Sequence, residues 1–227
     1  MINIAIDGPS GAGKSSLSDY VAKELSFVHV DTGALYRAVG FYLVKNKVEP
    51  SDAAKVVPVL ESLNVNVEYD SLKQQHVFVN GEEVDEQLRT NDVSMAASAA
   101  SAIPEVRAFL LDLQRNIAKK ENIVMDGRDV GTVILPDADV KFFLFASPEK
   151  RAERRFKEYA DKGIDISYDK VLEDIIQRDY NDSNRKISPL KQAKDAIPVD
   201  NSEMTEDETK TFVLNIIKEK LSNVYIC

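Results

Sequence analysis

The chain has 227 residues, 44% of them hydrophobic and 30% charged, which suits one substantial α/β core with room for one or two small insertions. A formal net charge of −9 excludes a nucleic-acid coat protein, which needs a basic stripe. No apolar run approaches the roughly eighteen residues of a membrane span. The N-terminus lacks a basic segment followed by an apolar stretch, and the single cysteine, Cys227, has no internal partner. A reducing cytoplasm is therefore the expected compartment.

The first predicted element is the apolar strand Ile2–Ile6, ending at Asp7. GPSGAGKSS follows at residues 8–16, with the spacing Gly8, four residues, Gly13, Lys14, Ser15 of a phosphate loop. The pattern requires a buried strand before it and a helix after it. Both are present, since Leu17, Tyr20, Val21 and Leu25 recur at helical spacing. The next strand, Val28–Val30, ends at Asp31 and leads into a helix that carries Arg37 one turn in.

Residues 64–84 break the alternation. Val65, Val67 and Tyr69, then Val77 and Val79, show period two, and Asp70-Ser71 and Asn80-Gly81 are turn signals. This predicts a small inserted antiparallel meander, with His76 as a solvent-facing strand residue. A helix is expected over Pro104–Lys119, with Val106, Phe109, Leu110, Leu113 and Ile117 on one face. Three more strands follow: Ile123–Met125 before Asp126, Val140–Phe145 before Ser147, and Ile197–Val199 before Asp200. Between the last two lie amphipathic helices at about Pro148–Asp161 and Tyr168–Asp179, then a polar, mobile stretch at 178–190. A closing helix is expected at Thr205–Leu221, with Phe212, Val213, Ile216, Ile217 and Leu221 inward.

Near-continuous apolar strands alternating with helices predict an α/β fold, a five-stranded parallel sheet covered on both faces. Ligands bind such sheets at the carboxyl ends of the strands, where Asp7, Asp31, Asp126, Ser147 and Asp200 make a polar rim. In the phosphate loop, backbone N–H groups of residues 11–15 and the helix N-terminus form an anion cradle. Lys14 suits the β- and γ-phosphates, and Ser15 suits Mg²⁺.

The sequence also discriminates among users of that loop. None of the nine glycines has Asp three residues before it, and the nearest guanine motif, Asn46-Lys47-Val48-Glu49, ends in the wrong acid. The strand ending Met125-Asp126 continues to Gly127 without the glutamate of a motor ATPase. A small-molecule kinase remains, and it should offer arginines to an acceptor. Arg37 and Arg128 stand at strand ends, and Arg178 and Arg185 lie in the polar stretch. Guanidinium groups bind phosphate oxygens bidentately and stay charged. His29 and His76 are the only histidines, and no His/Asp pair suits proton abstraction. A phosphate monoester acceptor needs no base, because its second pKa is about 6. These features favour a nucleoside monophosphate. A kinase of another small acceptor such as UMP, or a non-catalytic nucleotide-dependent regulatory protein, stays open on the residues alone.

GPSGAGKSS, VDTGALYRA (30–38), MAASAAS (95–101), PEVRAFLLDLQR (104–115), DGRDVGTVILPDADVKFFL (126–144) and RDYNDSNRKISPL (178–190) together closely resemble bacterial-type cytidylate kinase. The similarity runs in order through essentially the whole chain. It implies ATP-dependent phosphorylation of CMP and dCMP. It also implies three parts: a core at 1–62, 87–149 and 188–227, the β-meander at 63–86 as part of the acceptor-binding domain, and a helical lid at 150–187.

By the same resemblance ATP is held by Gly8, Pro9, Ser10, Gly11, Ala12, Gly13, Lys14, Ser15 and Ser16. Mg²⁺ falls to Ser15, with Asp126 acting through coordinated water. Arg37, Arg128 and Arg185 resemble the arginines on the acceptor and transferred phosphates. Ser98, Arg107 and Asp129 resemble the residues that read cytosine, and Tyr36, Arg178 and Asp182 those near the sugar. Thr32 joins the substrate set, standing where some relatives have serine. Asn181 and Ser183 occupy lid positions where relatives often have arginine. Neither a nucleic-acid nor a membrane partner is expected, and nothing marks an oligomer interface, so a monomer is expected.

Overall fold

The computed structural model describes residues 1–224, so Cys227 lies outside the described residues. Among the described residues there are eight strands: β1 (Asn3–Asp7), β2 (Val28–Asp31), β3 (Val65–Tyr69), β4 (Gln75–Val79), β5 (Glu82–Glu83), β6 (Ile123–Gly127), β7 (Val140–Phe145) and β8 (Ile197–Asp200). The helices are α1 (Lys14–Leu25), α2 (Thr32–Lys45), α3 (Ala53–Leu60), α4 (Asn91–Ala100), α5 (Pro104–Lys120), α6 (Pro148–Asp161), α7 (Tyr168–Asn184) and α8 (Glu206–Val224). The five apolar segments read from the sequence form one sheet in the order β2-β6-β1-β7-β8. Within it β7 runs parallel to both β1 and β8, in the registers Ile4↔Val140 and Phe142↔Ile197. The chain is an α/β protein with a five-stranded parallel sheet and a separate three-stranded antiparallel sheet.

The chain divides into two compact units, one holding residues 27–123 with Met1, the other residues 2–26 with those from 124 onward. In the first, Leu35, Val39, Leu43, Val77, Val84, Val106 and Leu110 belong to one buried apolar cluster. Helices α2 and α4 approach closely at Gly40, where a Cβ would lie 2.7 Å from both Ala97 N and Val93 O. The β3-β4-β5 meander falls on the segment that the period-two pattern marks, paired Val65↔Val79 and Phe78↔Glu83. Its Asn80-Gly81 turn has positive φ at both residues, the mirror-image turn that suits a tight hairpin.

In the second unit Ile4, Ile6, Val21, Met125, Phe142, Leu144, Val213 and Ile217 are all buried. Helices α6 and α7 share a small cluster of their own around Ala152, Val171 and Ile175. Two expectations need correction. The helix expected to end at about Asp179, where the polar stretch 178–190 begins, runs five residues further to Asn184. Asp182 explains this: it is buried, its carboxylate accepts from Arg128, and its carbonyl accepts from Leu190 N at 2.8 Å. On α8, Phe212 is 46% exposed, and Leu214 takes the inward position beside Val213 and Ile217. The Thr205 cap is as read: its hydroxyl accepts from Glu208 N while Glu208 accepts from Thr205 N, a reciprocal capping box.

Candidate active site

The phosphate loop leaves β1 through a position where no side chain fits. A Cβ on Gly8 would lie 1.8 Å from Leu144 O, and its φ is +152°. Three carbonyls of the loop are held by side chains: Pro9 O by Lys14 Nζ at 2.7 Å, Ser10 O by Arg151 Nη1 at 3.0 Å, and Ala12 O by Asn201 Nδ2 at 3.0 Å. Helix α1 then begins at Lys14 without a side-chain cap. An uncapped N-terminus carries a partial positive charge and N–H donors suited to an anion. Ser15 Oγ donates to Asp126 Oδ2 at 2.9 Å, joining the start of α1 to β6. Ser15 and Ser16 are exposed, whereas Lys14 is 6% exposed.

Burial, together with the positive charge of Arg128, lowers the Lys14 ammonium from 10.5 to about 7 against the opposing pull of Asp126 and Asp7. Burial raises the Asp7 carboxyl to about 6. Asp7 is not idle: its two oxygens accept from Val130 N at 2.8 Å and Gly131 N at 2.7 Å. It thereby anchors the turn that follows Gly127-Arg128-Asp129. Arg128 Nε donates to Asp182 Oδ2 at 2.8 Å, and Arg185 lies 3.9 Å from Asp182 and 3.8 Å from Asp129. Burial alone would raise the Asp182 carboxyl, but Arg128, Arg178 and Arg185 outweigh it and hold it below the usual carboxylate range. Lys14, Arg128, Arg178 and Arg185 thus alternate with Asp7, Asp126, Asp129 and Asp182. Such a set holds its cations in place before an anion arrives, so less order is lost on binding.

Arg151 is 2% exposed; besides Ser10 O it holds Ala146 O at 2.9 Å and pairs with Asp179. It therefore ties α6 and α7 to the phosphate loop. Arg154 Nη2 donates to Asn201 O at 2.7 Å on the loop's other flank.

The first unit carries the remaining candidates. Asp31 caps α2, its Oδ1 accepting from Ala34 N at 3.1 Å, while its Oδ2 holds Arg37 Nη2 at 2.7 Å. Thr32, the first residue of α2, is buried. The Arg107 guanidinium lies 5.3 Å from the centre of the Tyr36 ring, within reach of a cation–π contact. Arg107 Nη1 donates to Ser101 O at 3.3 Å, and Ser101 Oγ donates to Ser98 O at 2.8 Å. Ser98 joins this chain through its carbonyl.

The family model for cytidylate kinase matches residues 4–219. The cytidylate kinase of Caldicellulosiruptor bescii is 45% identical over 222 residues, 98% of each chain. That of Clostridium botulinum strain Langeland is 46% identical over 217 residues, 96% of this chain and 98% of its own. The solved shikimate kinase of Bacteroides thetaiotaomicron is a distant likeness, with 15% identity, a TM-score of 0.47 and coverage of 97% and 98%. The chain belongs to the cytidylate kinase family.

Within this cytidylate kinase fold the polar rim expected from the strand ends divides in two. Asp7 and Asp126 are buried beside the phosphate loop. Ser147 caps α6, accepting from Lys150 N at 3.2 Å, and Asp200 accepts from the turn at Ser202; both are ordinary strand-end roles. Asp31 caps α2 and also holds Arg37. The sequence singles out neither Arg151 nor Asn201, and Asp7 enters there only as part of the rim. The apolar strand before Asp7 is its one signal. His76 is half-buried against Asp85 at 2.9 Å, Glu83 at 3.4 Å and Asp70 at 3.8 Å. Burial pulls its pKa down, but these carboxylates outweigh it and raise it above 6.5.

Proposed function

We infer that the chain transfers the γ-phosphoryl group of ATP to CMP and dCMP, releasing ADP with CDP or dCDP. The observation that carries this is relatives named cytidylate kinase at 45% identity over 98% of the chain. The alternation of buried and half-buried cations with carboxylates beside the phosphate loop supports it. In this reading the loop from Gly8 to Ser16 and Lys14 hold the donor's phosphates. Arg37, Arg128 and Arg185 take the acceptor and transferring phosphates, and Arg178 and Asp182, with Tyr36 and Thr32, lie along the acceptor's sugar side. Asp129 accepts from the cytosine amino group, while Arg107 and Ser98 meet its O2 and N3.

The Ser15 hydroxyl and Asp126 carboxylate, 2.9 Å apart at the start of α1, are hard oxygen donors of the kind Mg²⁺ takes. An Mg²⁺ held by these two residues would supply charge neutralisation for the phosphates. The chain's own contribution is positioning and electrostatic stabilisation, which supply nearly all the catalysis in phosphoryl transfer. No base is required, since the acceptor oxygen is already anionic near pH 7. The α6–α7 segment within 150–187 serves as the lid that excludes water. We place the enzyme in the cytoplasm as a monomer, and a net charge of −9 fits small-molecule rather than nucleic-acid partners.

Incubation with Mg-ATP and CMP should convert them to CDP and ADP in equal amounts. Lys14→Ala should remove most of this turnover while leaving the melting transition in place. ATP binding without CDP formation by the wild-type chain, or full turnover in the variant, would overturn the reading.

A further inference from the structure

Gln75 opens β4, and its side chain meets the peptide of Asp31, 44 residues earlier, at two points. Oε1 accepts from Asp31 N at 3.0 Å, and Nε2 donates to Asp31 O at 3.4 Å. The amide fits in one orientation only, because turned over it would set NH₂ against N–H and oxygen against oxygen. Asp31 is also the residue whose carboxylate caps α2 and holds Arg37. One residue thus carries the Gln75 contact on its backbone and the arginine on its side chain.

The Asp31–Arg37 pair is only partly shielded, with side chains 24% and 31% exposed. An ion pair so placed holds a long side chain loosely on its own. Fixing the Asp31 peptide fixes the direction of its Cα–Cβ bond, and so the place where the guanidinium rests. We propose that Gln75 is a positioning residue that sets Arg37 for the acceptor's phosphate. Through it the inserted meander shapes the acceptor side of the enzyme. This rests on reading Arg37 as an acceptor ligand. Small misplacements of positioning groups lower activity by factors up to about 10², and a shift in a ligand's supporting contact falls well inside that range.

The test is steady-state kinetics on Gln75→Met, which keeps length and approximate volume but loses both hydrogen bonds, alone and combined with Arg37→Lys. The expected result is a KM for CMP raised ~5–10-fold, with kcat within ~2-fold and KM for ATP unchanged. In the Arg37→Lys background the same substitution should have little further effect, since the group it positions has gone. Gln75→Glu keeps the bond to Asp31 N but sets oxygen against the Asp31 carbonyl, and should shift the same constant by less. It carries the test if the methionine variant folds poorly. An equal rise in both KM values, or an undiminished effect in the Arg37→Lys background, would show a merely structural role and overturn the proposal. A large CMP effect of Arg37→Lys with none from Gln75→Met or Gln75→Glu would overturn the proposal while leaving the acceptor reading intact. No CMP effect from Arg37→Lys itself would overturn both.

Discussion

Lys14 is 6% exposed, with Arg128 and Arg178 acting against its charge and Asp126 and Asp7 in its favour, and its pKa falls to about 7. The unfolded chain keeps this proton to about 10.5. Between pH 7 and about 10.5 the unfolded state therefore binds more protons, and Lys14 makes ligand-free stability rise with pH across that window. Asp7 works in the opposite sense. Its folded pKa of about 6 lies above the ordinary carboxylate value of 3.8, so its contribution to stability falls as pH rises from about 4 to 6. Phosphate oxygens beside Lys14 would restore its preference for the charged form. ATP binding at pH 8 should therefore take up close to one proton, and affinity should fall as pH rises above 7. Calorimetry in buffers of different ionisation enthalpy measures the uptake. Proton release, or none, would contradict the buried neutral lysine. Lys14 and Asp126 are legible in the sequence because the phosphate-loop spacing and an acid at a strand end are local patterns. Gln75, Arg151 and Asn201 are not, because each acts on a backbone group tens of residues or more away and leaves no periodic trace.

At the level of elements, the strands were the most readable, since a parallel sheet buried on both faces writes itself as short continuous apolar runs. Helix ends were less so. Tyr168–Asn184 outran its apolar periodicity because the last turn is held by a tertiary ion pair, Arg128 with Asp182, rather than by its own apolar face. Phe212 lies at helical spacing with its neighbours yet faces outward, and Leu214 fills the inner position instead. The contact between α2 and α4 gives a stability test. Alanine at Gly40 gains about 1 kcal/mol of helix propensity but forces its Cβ within 2.7 Å of two backbone atoms of α4. Backbone cannot yield as a flexible side chain can, so the clash dominates. Gly40→Ala should destabilise by ~2 kcal/mol and lower Tm by about 4–8 °C. An unchanged or higher Tm in thermal unfolding would show that the helices part without cost.

For the whole molecule, the order of motifs along the chain identified the family from sequence, and the 4–219 match agrees with it. The division into units could not be read so directly, because residues 2–26 and those beyond 124 belong together although separated by about a hundred residues. No composition shift marks those joints. The candidate site residues divide in the same way: the phosphate loop, Arg128, Asp129, Asp182 and Arg185 belong to one unit, and Tyr36, Arg37, Ser98 and Arg107 to the other. Under the proposed function, cytosine is preferred over every other base. The decisive measurement is kcat/KM for CMP, dCMP, UMP, AMP and GMP in parallel with Mg-ATP. CMP and dCMP should be used far more efficiently than the rest. A higher value for any other monophosphate would contradict the cytosine assignment while leaving the kinase fold in place.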